Sequence, residues 1–256
     1  MFKVLKAEQR PREKGDRYEV LSFLPYYNGY VKPFGDLIGI EEVLVSPGGG
    51  LVPVQEGVEM LFIGRAGSLE VFREDEEPGL LKKNTCLVSR SEDSEITLRN
   101  EREHGLSRMI SLGFRVGEAE APSRSMETLE MRFRGTRTTL QTIASGSSEE
   151  PVIRLSLDAD VSLAQIGKEE KLVLETLPSR RILIAVLEGR TAVAKSGLVK
   201  NDSVMIMGEP LVNLYAYELT RILIVDLPEF ISPCERDDSG DAKEEKREIS
   251  VWRFDD

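Results

Sequence analysis

Few side chains in this chain of 256 residues can do acid–base, nucleophilic or metal chemistry near neutral pH. His104 is its one histidine. Imidazole is the usual proton carrier in that range, but the role needs positioned partners. No Ser–His–Asp set surrounds His104 in sequence, and no cysteine lies close to it. The polar stretch Asn100–Gly105 that holds it reads as an exposed loop. The two cysteines, Cys86 and Cys234, are far apart and lack a C-x-x-C spacing, which argues against a disulfide framework and a zinc site. Cys86 sits in a strand pattern and reads as a buried small hydrophobe. Pro47-Gly-Gly-Gly50 has the glycines of a phosphate-cradling loop, but the helix and lysine of such a loop do not follow, so it reads as a turn. The acidic run Glu74–Glu77 reads as a solvated hairpin rather than an ion site.

The elements that would position any of these groups are strands, and one arrangement of them occurs twice. Val58–Ile63, a turn at Gly67, Leu69–Phe72 and, after a charged hairpin, a strand beyond Lys83-Asn84 make the first copy. Ile182–Val186, a turn at Gly189, Thr191–Val193 and a strand beyond Lys200-Asn201 make the second. The first copy differs by a longer hairpin at Glu74–Gly79. A self-similar β unit recurring about once per domain length predicts two like barrels. Further strands are expected at Val43–Val45, Thr85–Val88, Glu95–Leu98, Val152–Leu157, Val161–Ile166, Leu172–Leu174, Ser203–Met207, Leu211–Ala216 and Ile222–Asp226. Many short strands at near-regular spacing, with few amphipathic helices, indicate a sandwich or barrel.

The composition is that of a globular protein, 40% hydrophobic and 31% charged. A net charge of −11 disfavours direct nucleic-acid binding, which draws most of its affinity from basic residues on phosphates. No stretch has the length of a membrane helix, and the N-terminus lacks the apolar core of a secretory signal, so a cytoplasmic location with no membrane partner is expected. The expected divisions are a first barrel over 1–120, a second over 121–232 and a charged tail over 233–256. Gly117–Ser125 reads as the connection and Ala144–Glu150 as a polar loop opening the second half. The tail is densely charged from Glu235 to Glu248, then becomes strand-like at Ile249–Phe254 around Trp252, the chain's one Trp. That last segment packs back onto the domain or serves a partner.

Several pieces in order carry a family resemblance. They are Val20–Tyr27, Pro33-Phe34-Gly35-Asp-Leu37, Pro47–Leu51, Glu59 eight residues before Gly67, Ala144-Ser-Gly, Asp158-Ala-Asp160, Leu187-Glu-Gly189 and Val225-Asp-Leu-Pro228. From about Leu21 to Pro228 the chain resembles the pirins and pirin-like proteins. The resemblance implies an all-β bicupin: two cupin-type β-barrels, each a double-stranded β-helix, in one chain.

Pirins that bind metal use a His-x-His pair on one strand and a His-x-Glu pair on a later one. Residues two apart on a strand share a face, so each pair aims into the barrel. Such a donor set suits iron, nickel or copper. In this chain the first pair falls on Pro53 and Gln55 counting from Glu59, or on Val54 and Glu56 counting from Gly50. The second falls on Ile96 and Leu98, or on Thr97 and Arg99 one residue on. No position is a histidine. Glu56, Glu59, Glu92, Asp93 and Glu95 would suit a harder ion, but Ile96 and Leu98 indicate a strand that fills its barrel with hydrocarbon.

We therefore expect a remnant pocket around Gln55, Glu56, Glu59, Ile96, Leu98 and His104, with no catalytic residue, metal ligand or cofactor. Arg180, Arg181 and Lys195 argue against a metal site in the second barrel. The expected function is a non-catalytic binding or regulatory protein. The resemblance implies as partner a regulator or metabolic enzyme, and an emptied barrel would take a small apolar ligand, its mouth closed by Tyr26, Tyr27 and Phe34. The alternative is a dioxygenase of the pirin or quercetinase type.

Overall fold

A computed structural model describes residues 1–24, 26–27, 30–31, 33–53, 57–73, 78–90, 96–116, 126–131, 133, 135–147, 152–228 and 252–253. Both copies of the repeated unit fold as the pattern requires. In the first, Val58–Ala66 turns at Gly67 into Ser68–Arg73, and Gly79–Lys82 turns at Asn84 into Thr85–Arg90. In the second, Arg180–Glu188 turns at Gly189 into Arg190–Val193, and Ser196–Val199 turns at Asn201 into Ser203–Met207. The backbone is left-handed at matching places, with φ of 68° and 83° at the two glycines and 62° and 73° at the two asparagines. Asn tolerates that region better than most residues. At Gly189 a Cβ would also meet the Leu219 carbonyl oxygen at 2.5 Å.

The strands form two barrels, each with a large and a small sheet. The first large sheet runs Met126–Glu130, Thr85–Arg90, Val58–Ala66, Ser107–Arg115, Leu37–Val45, Tyr18–Ser22 and Arg12–Lys14. Facing it is a small sheet of Gly79–Lys82, Ser68–Arg73, Ile96–Arg99, Gly50–Pro53 and Trp252–Arg253. The second large sheet runs Phe2–Leu5, Ser203–Met207, Arg180–Glu188, Thr220–Pro228, Asp160–Ile166, Thr139–Ser145 and Ile153–Arg154. Its small partner holds Lys171–Glu175, Leu211–Ala216, Arg190–Val193 and Ser196–Val199.

Alternation along the strands divides the buried residues among three cores. On the central strand of the first repeat, Met60 and Phe62 join the core inside the first barrel, while Leu61 and Ile63 join a core shared with the second. That shared core sets Ile110, Leu112 and Phe114 among Leu163, Leu183 and Leu223 of the other large sheet. Ile182, Ile184, Val204, Ile206, Val212 and Leu214 fill the second barrel. The order of layers is therefore small sheet, large sheet, large sheet, small sheet. Each fully buried aliphatic side chain contributes about 1.5–3 kcal/mol.

Three segments cross the divisions drawn from the sequence. Phe2–Leu5 pairs with Ser203–Ile206 of the second barrel. Met126–Glu130 pairs with Thr85–Ser89 of the first. Trp252–Arg253, in the tail, pairs with Val52–Pro53 of the first small sheet. Each covers a sheet edge that would otherwise offer unpaired backbone. The N-terminal crossing is pinned by side chains. Asp202, fully buried, accepts from Lys6 Nζ at 2.8 Å and from the Ala7 amide at 2.8 Å. Arg10 lies 3.6 Å above the Phe23 ring and donates to the Leu21 and Ser22 carbonyls, and burial lowers its pKa to about 10.

The Val152–Leu157 expectation shortens to Ile153–Arg154, and Ala144 and Ser145 belong to a strand rather than a loop. The Gly117–Ser125 connection and the Glu74–Glu77 run lie outside the described residues.

Because one core is shared, the barrels are expected to unfold together. Leu112→Ala should cost about 2–5 kcal/mol and shift one calorimetric transition; a second transition that does not move would contradict this. Cys86 lies in the same core, and burial pushes its thiol up to about 12. A neutral thiol held in the folded state stabilises it below the ordinary thiol pKa, and that contribution fades as pH climbs toward the raised value. In a Cys234→Ala background at about pH 8, near the ordinary thiol value, a thiol reagent should label Cys86 only as fast as the protein unfolds. Rapid labelling of the native protein would show an accessible thiol instead.

Candidate functional site

The inner face of the first barrel is where strand alternation would aim metal ligands, and its described residues are mainly hydrocarbon. Ile96 and Leu98 point inward, 4% and 0% exposed. Leu98 stands opposite Leu51 on one neighbouring strand and Val71 on the other. Val43, Val45, Met60, Phe62, Leu87 and Met109 close the space from the large sheet. This is the hydrocarbon filling expected from the sequence at Ile96 and Leu98.

Glu59 does not belong to this face. It has the parity of Leu61 and Ile63 and points toward the second barrel. There the Ser156 amide donates to its Oε2 at 2.9 Å and the Ser156 hydroxyl to its Oε1 at 3.0 Å. The residue is 1% exposed, so these bonds carry a buried carboxylate across the junction of the two barrels. Its place in the remnant pocket is corrected to a junction between barrels. His104 is also separate, on an exposed loop between Ile96–Arg99 and Ser107–Arg115. Gln55 and Glu56 lie outside the described residues.

The inner face does hold polar groups that the sequence reading missed. Glu41, 4% exposed, shares the parity of Val43 and Val45, and Ser111 donates to its Oε2 at 3.2 Å. Ser89, two residues beyond Leu87, is 3% exposed, and its hydroxyl has no hydrogen-bond partner among the described residues. The signal for Glu41 was available: a charged pair inside the apolar run Leu37–Val45. Alternation then sends Glu42 to the opposite face, where Arg108 Nε lies 3.8 Å away.

The Pro47-Gly-Gly-Gly50 turn is structural, as expected. The Gly48 amide donates to the Asn100 carbonyl at 2.8 Å and the Gly49 amide to the Ser46 carbonyl at 3.0 Å, so neither amide is left for an anion. A Cβ at Gly49 would meet the Arg17 carbonyl oxygen at 2.9 Å. In the second barrel, Arg180 bridges Asp226 at 2.5 Å and Asp158 at 3.0 Å, while the Ser145 hydroxyl donates to Asp160. Arg180 and these carboxylates form a strut across three strand ends. Among the described residues no three His, Cys, Asp or Glu side chains converge as a metal-holding group. At the two described positions, Ile96 and Leu98, the inner face offers no lone pair, so these two do not fit the three-imidazole, one-carboxylate donor set that the resemblance implies.

Two like barrels packed through their large sheets define an all-β bicupin. Residues 142–227 match the family described as the quercetinase C-terminal cupin domain. That match covers the second barrel, and both halves of the chain have the bicupin fold. The chain superimposes on YhhW from Escherichia coli with a TM-score of 0.81 at 16% identity, covering 90% of this chain and 99% of that one. A structure of the bacterial pirin YhhW from Escherichia coli in complex with nickel(II) gives 0.79 at 16% identity, covering 90% and 100%. Quercetin 2,3-dioxygenase from Acinetobacter baumannii gives 0.72 at 14%, covering 90% and 87%. At such identities these likenesses speak to the fold. No curated protein sequence matches the chain.

The Glu59–Ser156 contact yields a coupling prediction. Glu59→Gln and Ser156→Ala should each destabilise, and the double variant should fall short of their sum by about 0.5–3 kcal/mol. Additive effects in denaturant melts would mean that the pair does not join the barrels energetically.

Proposed function

We propose that the protein is a non-catalytic binding or regulatory bicupin that works in the cytoplasm through contacts with a protein or a small apolar ligand. The observation that carries this reading is the pair Ile96 and Leu98. They occupy the inward positions of the second ligand strand and are packed among Leu51, Phe62 and Val71. The only imidazole of the chain sits on an exposed loop. Without imidazoles on the inner face, the described residues offer no seat for a metal that would activate a flavonol and oxygen.

The outer surface supports a role in binding. On the second barrel's small sheet, Leu174, Val212 and Leu214 turn inward. Alternation therefore turns Val173, Leu211 and Tyr215 outward. Val173 and Leu211 are each 48% exposed. Tyr215 meets Tyr217 edge-to-face at 5.2 Å, and Arg190 lies 5.0 Å over the Tyr217 ring. Exposed apolar and aromatic side chains grouped on a sheet face are a usual form of contact surface. No helix among the described residues is long and apolar enough to cross a membrane.

The test is elemental analysis of the purified, tag-free protein, before and after incubation with iron, nickel or copper, together with an assay for loss of flavonol absorbance. The expected result is metal far below one per chain and no flavonol turnover. Near-stoichiometric metal with turnover would replace this reading by the dioxygenase one.

A further inference from the structure

The two small sheets share a plan but differ at one edge. In the first barrel, Gly50–Pro53 pairs with Ile96–Arg99 on one side and with Trp252–Arg253 on the other. The matching strand of the second barrel is Lys171–Glu175, which pairs with Leu211–Ala216. Among the described residues no strand lies on its far side.

The backbone groups along this edge are in phase for a further strand. The Ala216 amide donates to the Glu170 carbonyl at 3.1 Å, and the Thr176 amide donates to the Pro210 carbonyl at 3.0 Å. In an antiparallel ladder alternate residues bond to the same neighbour. Leu172 and Leu174 therefore bond into the sheet with Glu170 and Thr176. Lys171, Val173 and Glu175 aim their N–H and C=O groups away from it. The register runs unbroken from Lys171 opposite Tyr215 to Glu175 opposite Leu211, so neither a bulge nor a proline blunts the edge. The side chains of Lys171, Val173 and Glu175 are exposed, on the face opposite the inward Leu174.

This strand is complementary to itself. Its two charges are of opposite sign and stand symmetrically about Val173. An antiparallel copy related by a twofold at Val173 sets valine opposite valine and each Lys171 opposite a Glu175. All three of these pairs are of the kind that exchanges two backbone hydrogen bonds. A twofold at Leu172 or Leu174 would instead leave a charge opposite Val173 and shorten the ladder.

We propose that Lys171–Glu175 is a dimerisation edge, and that its occupant is the same strand of a second copy of this chain, antiparallel and centred on Val173. The two four-stranded sheets then become one of eight. Val173, Leu211 and Tyr215 of both copies form one outer stripe, in an isologous interface. The edge belongs to the second barrel, so the metal analysis above and the test below fail independently.

Sedimentation of the full-length protein over about 1–300 µM spans the affinity of a small interface. Its weight-average mass should climb from one chain toward two. The twofold uses each residue twice, so Lys171→Glu or Glu175→Lys alone creates two like-charged pairs and should weaken the dimer about tenfold. The double swap restores opposite charges and should return the dissociation constant to within about threefold of the wild type. Val173→Pro removes an N–H that faces away from the sheet, so the bonds to Leu211–Ala216 are kept. It should sediment as a monomer and keep a thermal midpoint close to that of the wild type. A wild type that stays monomeric throughout, a dimer that these variants leave intact, or a double swap as weak as the single ones would overturn the proposal.

Discussion

The structure depends on one constraint: each long strand of the large sheets must be buried on both faces. A sheet covered on both sides cannot alternate between oil and water, so its strands carry apolar residues at both parities and any polar group among them needs a place in the packing. Leu37–Val45, Val58–Ala66, Ser107–Arg115, Arg180–Glu188 and Thr220–Pro228 are such strands, each nine residues long. One face of each closes its own barrel and the other meets the opposite barrel. The small sheets alternate in the ordinary way, as in Leu211–Ala216 with its outward Leu211 and Asn213. Four layers follow from these two kinds of strand.

The same constraint governs the chemistry of the inner face. At Ile96 and Leu98 this chain places side chains that complete an apolar core, and that core helps hold the small sheet to the large one. A carboxylate or imidazole at Leu98 would be buried beside Leu51 and Val71 and would need a partner or a metal to offset its desolvation. Three buried carboxylates are tied into the fold. Glu41 takes a hydrogen bond from Ser111, Glu59 receives two from Ser156, and Asp202 anchors the N-terminal crossing.

Local signals were legible in the sequence, and long-range ones were not. The repeat could be read because its turns demand left-handed residues, and Gly67, Asn84, Gly189 and Asn201 occupy matching places. The inward direction of Ile96 and Leu98 and the exposure of His104 followed from period-two alternation and a polar neighbourhood. Glu59 was misplaced because it was located by its distance from a glycine turn, whereas its face is set by parity with Leu61 and Ile63. Ser107–Arg115, central to the first large sheet, was passed over because serines and a glycine interrupt its apolar residues. The crossing of Phe2–Leu5 to a strand some two hundred residues away leaves no local trace, since sheet pairing over that distance is decided by packing.

Diffraction at the nickel absorption edge, from crystals grown with excess nickel(II), tests most directly whether this barrel has exchanged a metal site for a hydrocarbon core. A hydrocarbon-filled barrel gives no anomalous peak inside it and contiguous density for Leu51, Phe62, Val71, Ile96 and Leu98. An ordered nickel ion among those side chains, with protein donors around it, would contradict that filling.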